Sequence, residues 1–88
     1  MDLQVTKNKL YDIVDMLIES QEGSWKEGLF VIINKQGIIV NELTYEEAAN
    51  EINNCNSIEE LETLVLEKWL LKREYKSLQE IIYTTMGE

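Results

Sequence analysis

The sequence predicts a small α+β domain, and three observations carry that expectation. The amino end is amphipathic, two β-branched runs flank Asn34…Gly37, and Ser57 to Thr85 contains neither Gly nor Pro while its apolar residues recur every three or four positions. The expected order is α-β-β-α-α in a single domain, residues 1–88. An antiparallel hairpin packs against an N-terminal helix and a long C-terminal helix, the latter either broken near residues 72–77 or projecting from the body.

The first helix is placed at roughly 3–20, because Leu3, Leu10, Ile13, Val14, Leu17 and Ile18 share one side while Asp12, Asp15 and Glu19 take the other. Gln21-Glu22-Gly23-Ser24 has turn chemistry and ends it. The strands are Leu29 to Ile33 and Ile38 to Val40, closed by a turn in which Gly37 supplies a positive φ. Neither strand alternates between apolar and polar residues. Both faces of the ribbon therefore need cover, from helices on two sides, a third strand or a second copy.

Thr44-Tyr45-Glu46-Glu47 and Ser57-Ile58-Glu59-Glu60 each place Glu three residues after a hydroxyl, the signature of a capping box. The first opens a short helix at about 45–53 that buries Ala48, Ala49 and Ile52. The second opens the last helical region, where Leu61, Leu64, Leu71, Tyr75, Leu78 and Ile82 form a heptad-like seam interrupted at Lys68. A straight helix over 57–85 is about 43 Å long, against about 27 Å for the first helix and about 30 Å for a compact domain of this size. Leu61, Val65 and Trp69 also face away from Leu71, Tyr75, Leu78 and Ile82, which favours a break near Lys72 to Ser77.

Composition narrows the function. With no His there is no Ser-His-Asp or Cys-His pair and no imidazole metal ligand, and a single Cys makes neither an internal disulfide nor a Cys-rich zinc cluster. No Asp-rich ligand loop, glycine-rich phosphate cradle or nucleophile motif is present, so the expectation is a non-enzymatic protein without cofactor or metal. Acidic residues scattered through Met1 to Gln21 argue against an export signal, and no apolar run approaches the roughly 20 residues of a membrane span. A cytoplasmic protein with Cys55 reduced is expected. Seventeen Asp and Glu against eight Lys and Arg leave a charge of −9, which disfavours direct contact with nucleic acid or anionic lipid and favours a basic partner protein.

The candidate partner-binding residues are Glu42, Glu46, Glu47, Glu51, Glu59, Glu62 and Glu67, which with Glu60 fill a span containing no Lys or Arg. Carboxylates one helical turn apart lie about 6 Å from each other along the axis, so such a face can imitate a row of phosphates. Local chemistry explains half of the block, since Glu46, Glu47, Glu59 and Glu60 sit in first turns where negative charge complements the helix dipole. Lys68, Lys72, Arg73 and Lys76 form a compensating basic segment, with the three lysines in one line if the helix is continuous. Leu71, Tyr75, Leu78 and Ile82 are the candidate self-association residues of a homodimer. Trp25, in a polar loop, is either an interface anchor or a lid on the core, Trp69 belongs to the core, and Cys55 packs at a helix junction. In composition the chain is similar to small acidic proteins of phages and mobile elements, which implies an inhibitor occupying the basic groove of a nucleic-acid enzyme.

Overall fold

The computed structural model of the chain describes residues 2–20 and 28–87. Within them the order is α1 (Leu3–Ser20), β1 (Leu29–Ile33), β2 (Ile39–Thr44), α2 (Tyr45–Asn53), α3 (Ile58–Thr63), a π turn (Leu64–Lys68), a 3₁₀ turn (Leu71–Arg73) and α4 (Leu78–Met86). This is the expected α-β-β-α-α arrangement with its last helical region divided in two. Trp25 lies outside the described residues.

Helix α1 starts at Asp2, whose Oδ1 accepts the Val5 amide at 2.9 Å, and presents Leu10, Ile13 and Val14 to the core. It is the hub of the molecule and lies against β1, α2, α3 and α4. The hairpin turn is organised by Asn34, whose Oδ1 accepts the amides of Gln36 and Ile38, while Gly37 takes a φ of 80°. Strand β2 is longer than the apolar run suggests and continues through Asn41, Glu42 and Leu43 to Thr44. It passes without a loop into α2, because Thr44 is at once the last strand residue and the helix N-cap. A bulge at the Ile32/Ile33 register step leaves Val40 unopposed.

The ribbon is covered unequally. Phe30, Val31 and Ile32 of β1 are all buried, whereas Ile38, just before β2, and Ile39 and Val40 at its start are exposed. The helices on the hairpin are α1 and α2, and the last helical region reaches it through Trp69, whose ring meets Phe30 edge-on at a centroid distance of 5.0 Å. The short second helix thus joins the first helix and the last helical region in covering the hairpin. Lys7 ties α1 to α2: only 8% exposed, it donates from Nζ to the Asn53 carbonyl at 2.9 Å. A cation thus sits at the C-terminal end of a helix whose own last turn has none.

The C-terminal region is not one helix. The Trp69 amide bonds to the Leu64 carbonyl, five residues back, and Leu70 then adopts a left-handed conformation with φ 60° and ψ 25°. Trp69 and Leu71 are both buried, yet a straight helix separates them by about 160° around its axis. One core on one side cannot accept both, and the turn at Leu70 resolves the conflict. The chain restarts at Ser77, whose Oγ accepts the Glu80 amide, and Glu62 from α3 accepts the Leu78 amide at 3.0 Å. The seam through Leu71, Tyr75, Leu78 and Ile82 is therefore not a surface stripe: Leu71, Leu78 and Ile82 are core residues and Tyr75 packs half-buried beside them. Nor do Lys68, Lys72 and Lys76 share a helix face, since they fall on the π turn, the 3₁₀ turn and the segment before α4.

Two stability measurements check these features. Glycine tolerates the left-handed region and alanine does not, so Leu70→Gly should exceed Leu70→Ala in urea stability by about 1 kcal/mol, the reverse of their ranking inside a helix. Lys7→Met, which keeps the packing and removes the ammonium donor, should lower the unfolding free energy by about 1–3 kcal/mol.

Candidate acidic binding face

The seven candidate glutamates divide by what holds them. Glu47 closes the capping box of α2 with Thr44, the amide of each residue bonding to the side chain of the other at 2.9 and 3.1 Å. Glu62 caps the first turn of α4. Glu51 pairs with Lys68, and Glu67 pairs with Lys72 at 2.7 Å. Glu42 sits half-buried on β2, in register with Val31, and belongs to a strand and not to a helical row. Glu46 and Glu59 are exposed in the first turns of α2 and α3. Glu60, outside the seven, accepts the Asn56 amide at 3.2 Å, so its box with Ser57 is displaced by one residue from the expected form.

The fold gathers some of these and separates others. Glu59, Glu60 and Glu67 meet around a broad open depression of about 760 Å³, together with Ser57, Thr63, Leu64, Cys55 and Lys68. The spacing that joins them is set by α3 and the π turn, which continue one another and bring Glu67 onto the same wall as the first-turn glutamates. Leu64 and Cys55, both nearly buried, supply apolar surface within the acidic lining. Glu42, Glu46, Glu47, Glu51 and Glu62 do not line it. The sequence contained the charge of this face but not its membership, because the path of α3 and the π turn decides which glutamates share one wall.

Cys55 reports the local field. Its Sγ lies 3.4 Å from the Glu51 carbonyl oxygen, and its pKa is raised by burial first and then by the negative charge of Glu60 and, less, Glu51, against the opposing pull of Lys7 and Lys68. Such a thiol is poorly nucleophilic at neutral pH, as expected for a packed junction residue. Among the described residues no three Cys, Asp or Glu side chains converge as a metal-binding group, and no helix is long and apolar enough to cross a membrane.

The basic segment forms a separate, smaller feature. Lys72 and Arg73 meet Lys35 of the hairpin turn around a hollow of about 170 Å³ that Leu70 also lines. Its charge is largely compensated, with Lys72 on Glu67 and Arg73 on Glu74 at 3.0 Å.

No protein-family model, curated protein or solved structure matches the chain.

Alkylation of Cys55 tests the electrostatics of the depression. The reaction should be slower at neutral pH than for an exposed cysteine, and its pH midpoint should lie above the ordinary thiol value. Glu60→Gln should move that midpoint down, since it removes the leading charge that opposes thiolate formation.

Proposed function

We propose that this protein is a non-enzymatic inhibitor or regulator that occupies a basic surface of a partner protein, a nucleic-acid-binding groove being the surface its charge suits best. The observation that supports this reading is the depression walled by Glu59, Glu60 and Glu67 with Leu64 and Cys55 between them. Lys and Arg side chains combine an apolar stem with a cationic head. Such a side chain entering the depression lays its stem on Leu64 and Cys55 and delivers its head to the carboxylates, where charge-assisted hydrogen bonds are shorter and stronger than neutral ones. The pair that Glu67 already makes is a surface pair of little strength, so an incoming cation competes with Lys72 at small cost.

Charge over the rest of the molecule serves recognition at longer range. A body of charge −9 steers a basic partner and repels nucleic acid itself. The compositional similarity to phage and mobile-element inhibitors points the same way, and the cytoplasm, where Cys55 stays reduced, is the compartment we propose for it.

Capture of partners from the native host at low and high salt is the direct experiment. Retention should fall steeply as salt rises, and Glu59→Lys with Glu67→Lys should weaken binding by on the order of tenfold or more. Asp12→Lys with Asp15→Lys on α1 changes the net charge equally without touching the depression, and should cost less. Equal losses from the two pairs, or no loss from either, would exclude the depression as the contact surface.

A further inference from the structure

The segment from Leu64 to Ser77 carries more local irregularity than any other part of the described chain. It holds a π turn, a 3₁₀ turn and Leu70, the one non-glycine residue with positive φ among the described residues. The indole nitrogen of Trp69, 2% exposed, has no hydrogen-bond partner among them. Yet the sequence here has no residue that breaks a helix, with neither Gly nor Pro between Ser57 and Thr85. The one local helix-start signal in it is Ser77 with Glu80; the left-handed turn at Leu70 has no such local cause and is imposed by the core.

We infer that this segment is a hinge through which α4 exchanges between two copies of the chain. If residues 58–86 straighten, Leu64, Leu71, Tyr75, Leu78 and Ile82 fall within a stripe about 60° wide at 100° per residue, whereas in the bent form they are distributed over the π turn, the 3₁₀ turn, the segment after it and α4. The straight helix is about 43 Å long. The molecule is 36 Å in its longest dimension, so α4 then overshoots its own seat beside α1. It can bury Leu78, Ile81 and Ile82 again only in the equivalent seat of a second copy, while Trp69 stays with Leu61 and Val65 in its own core. Leu71 and Tyr75 of the two antiparallel hinge helices then cover each other.

Exchange reuses the apolar contacts of Leu78, Ile81 and Ile82, trades the Ser77 cap and the bond from the Leu78 amide to Glu62 for helical hydrogen bonds across the hinge, and relieves the left-handed residue in both copies. Against it stands the intramolecular advantage of the bent form, which restricts the exchanged dimer to high protein concentration. Two copies of charge −9 repel one another, so added salt favours the dimer. Salt acts in the opposite direction on the acidic depression, which makes the two behaviours separable in one titration.

The test uses the full chain, unfolded in urea and refolded over a range of concentrations, with mass read by light scattering after size separation. A dimer should form at the highest concentrations and increase with salt. It should persist for hours after dilution, because its separation requires α4 to leave a core. Amides of residues 70–76 should exchange slowly in the dimer and rapidly in the monomer. Leu70→Ala and Leu70→Gly lose the same packing but favour the straight and the bent hinge respectively. The alanine variant should therefore dimerise more tightly than the glycine variant by on the order of a hundredfold, counting both hinges. The inference fails if refolding gives monomer alone at every concentration, if the dimer dissociates at once on dilution, or if the two variants dimerise equally.

Discussion

The seating of Trp69 against Phe30, with Leu71 buried two residues later, is the constraint on which the rest of the structure depends. A regular helix cannot send both side chains to one side. The left-handed turn at Leu70 that reconciles them ends the helical run begun at Ile58, and so determines where α4 starts and which face of α1 it covers. The small size of the molecule sharpens this constraint. With only about two-thirds of its unfolded surface removable from water, a chain this short cannot leave Leu71, Leu78, Ile81 and Ile82 on a projecting helix without losing much of its core.

The same economy governs the glutamates. Most carboxylates of the C-terminal half have local duties: Glu47, Glu60 and Glu80 bond to amides at or just before helix starts, Glu62 joins α3 to α4, and Glu51, Glu67 and Glu74 pair with Lys68, Lys72 and Arg73. Much of the acidic character is thus the consequence of building many short helices without proline. The depression is where that structural charge accumulates into a surface, because α3 and the π turn align three glutamates around a partly apolar floor. A partner-binding face can arise in this way with few residues dedicated to it.

The proposed binding face and the proposed hinge overlap at the π turn. The acidic wall is built on α3 and the π turn, and the hinge runs from that same turn to Ser77. Glu67 lies on the last turn before Trp69, so both proposals invoke the conformation of that turn. Lys72, which pairs with Glu67 across the start of the bend, is the side-chain link between them.

Much was legible in the linear order of residues. Apolar periodicity located α1, Asn34 and Gly37 located the hairpin turn, and Thr44 with Glu47 located the start of α2, because each signal acts within four residues and needs no distant partner. Ser77-Leu78-Gln79-Glu80 repeats the hydroxyl-to-Glu spacing and marks where α4 begins, a signal hidden by the seam that runs across it. Other features depend on residues far apart in the chain: the bond from Lys7 to Asn53, the bond from Glu62 to Leu78, and the choice of which glutamates line the depression. By itself the sequence determined the elements, their order and the sign of the charge, since these follow from local propensity and composition. Only the tertiary structure decided that the chain turns at Leu70 and which glutamates line the depression, because both follow from how distant apolar residues share one small core.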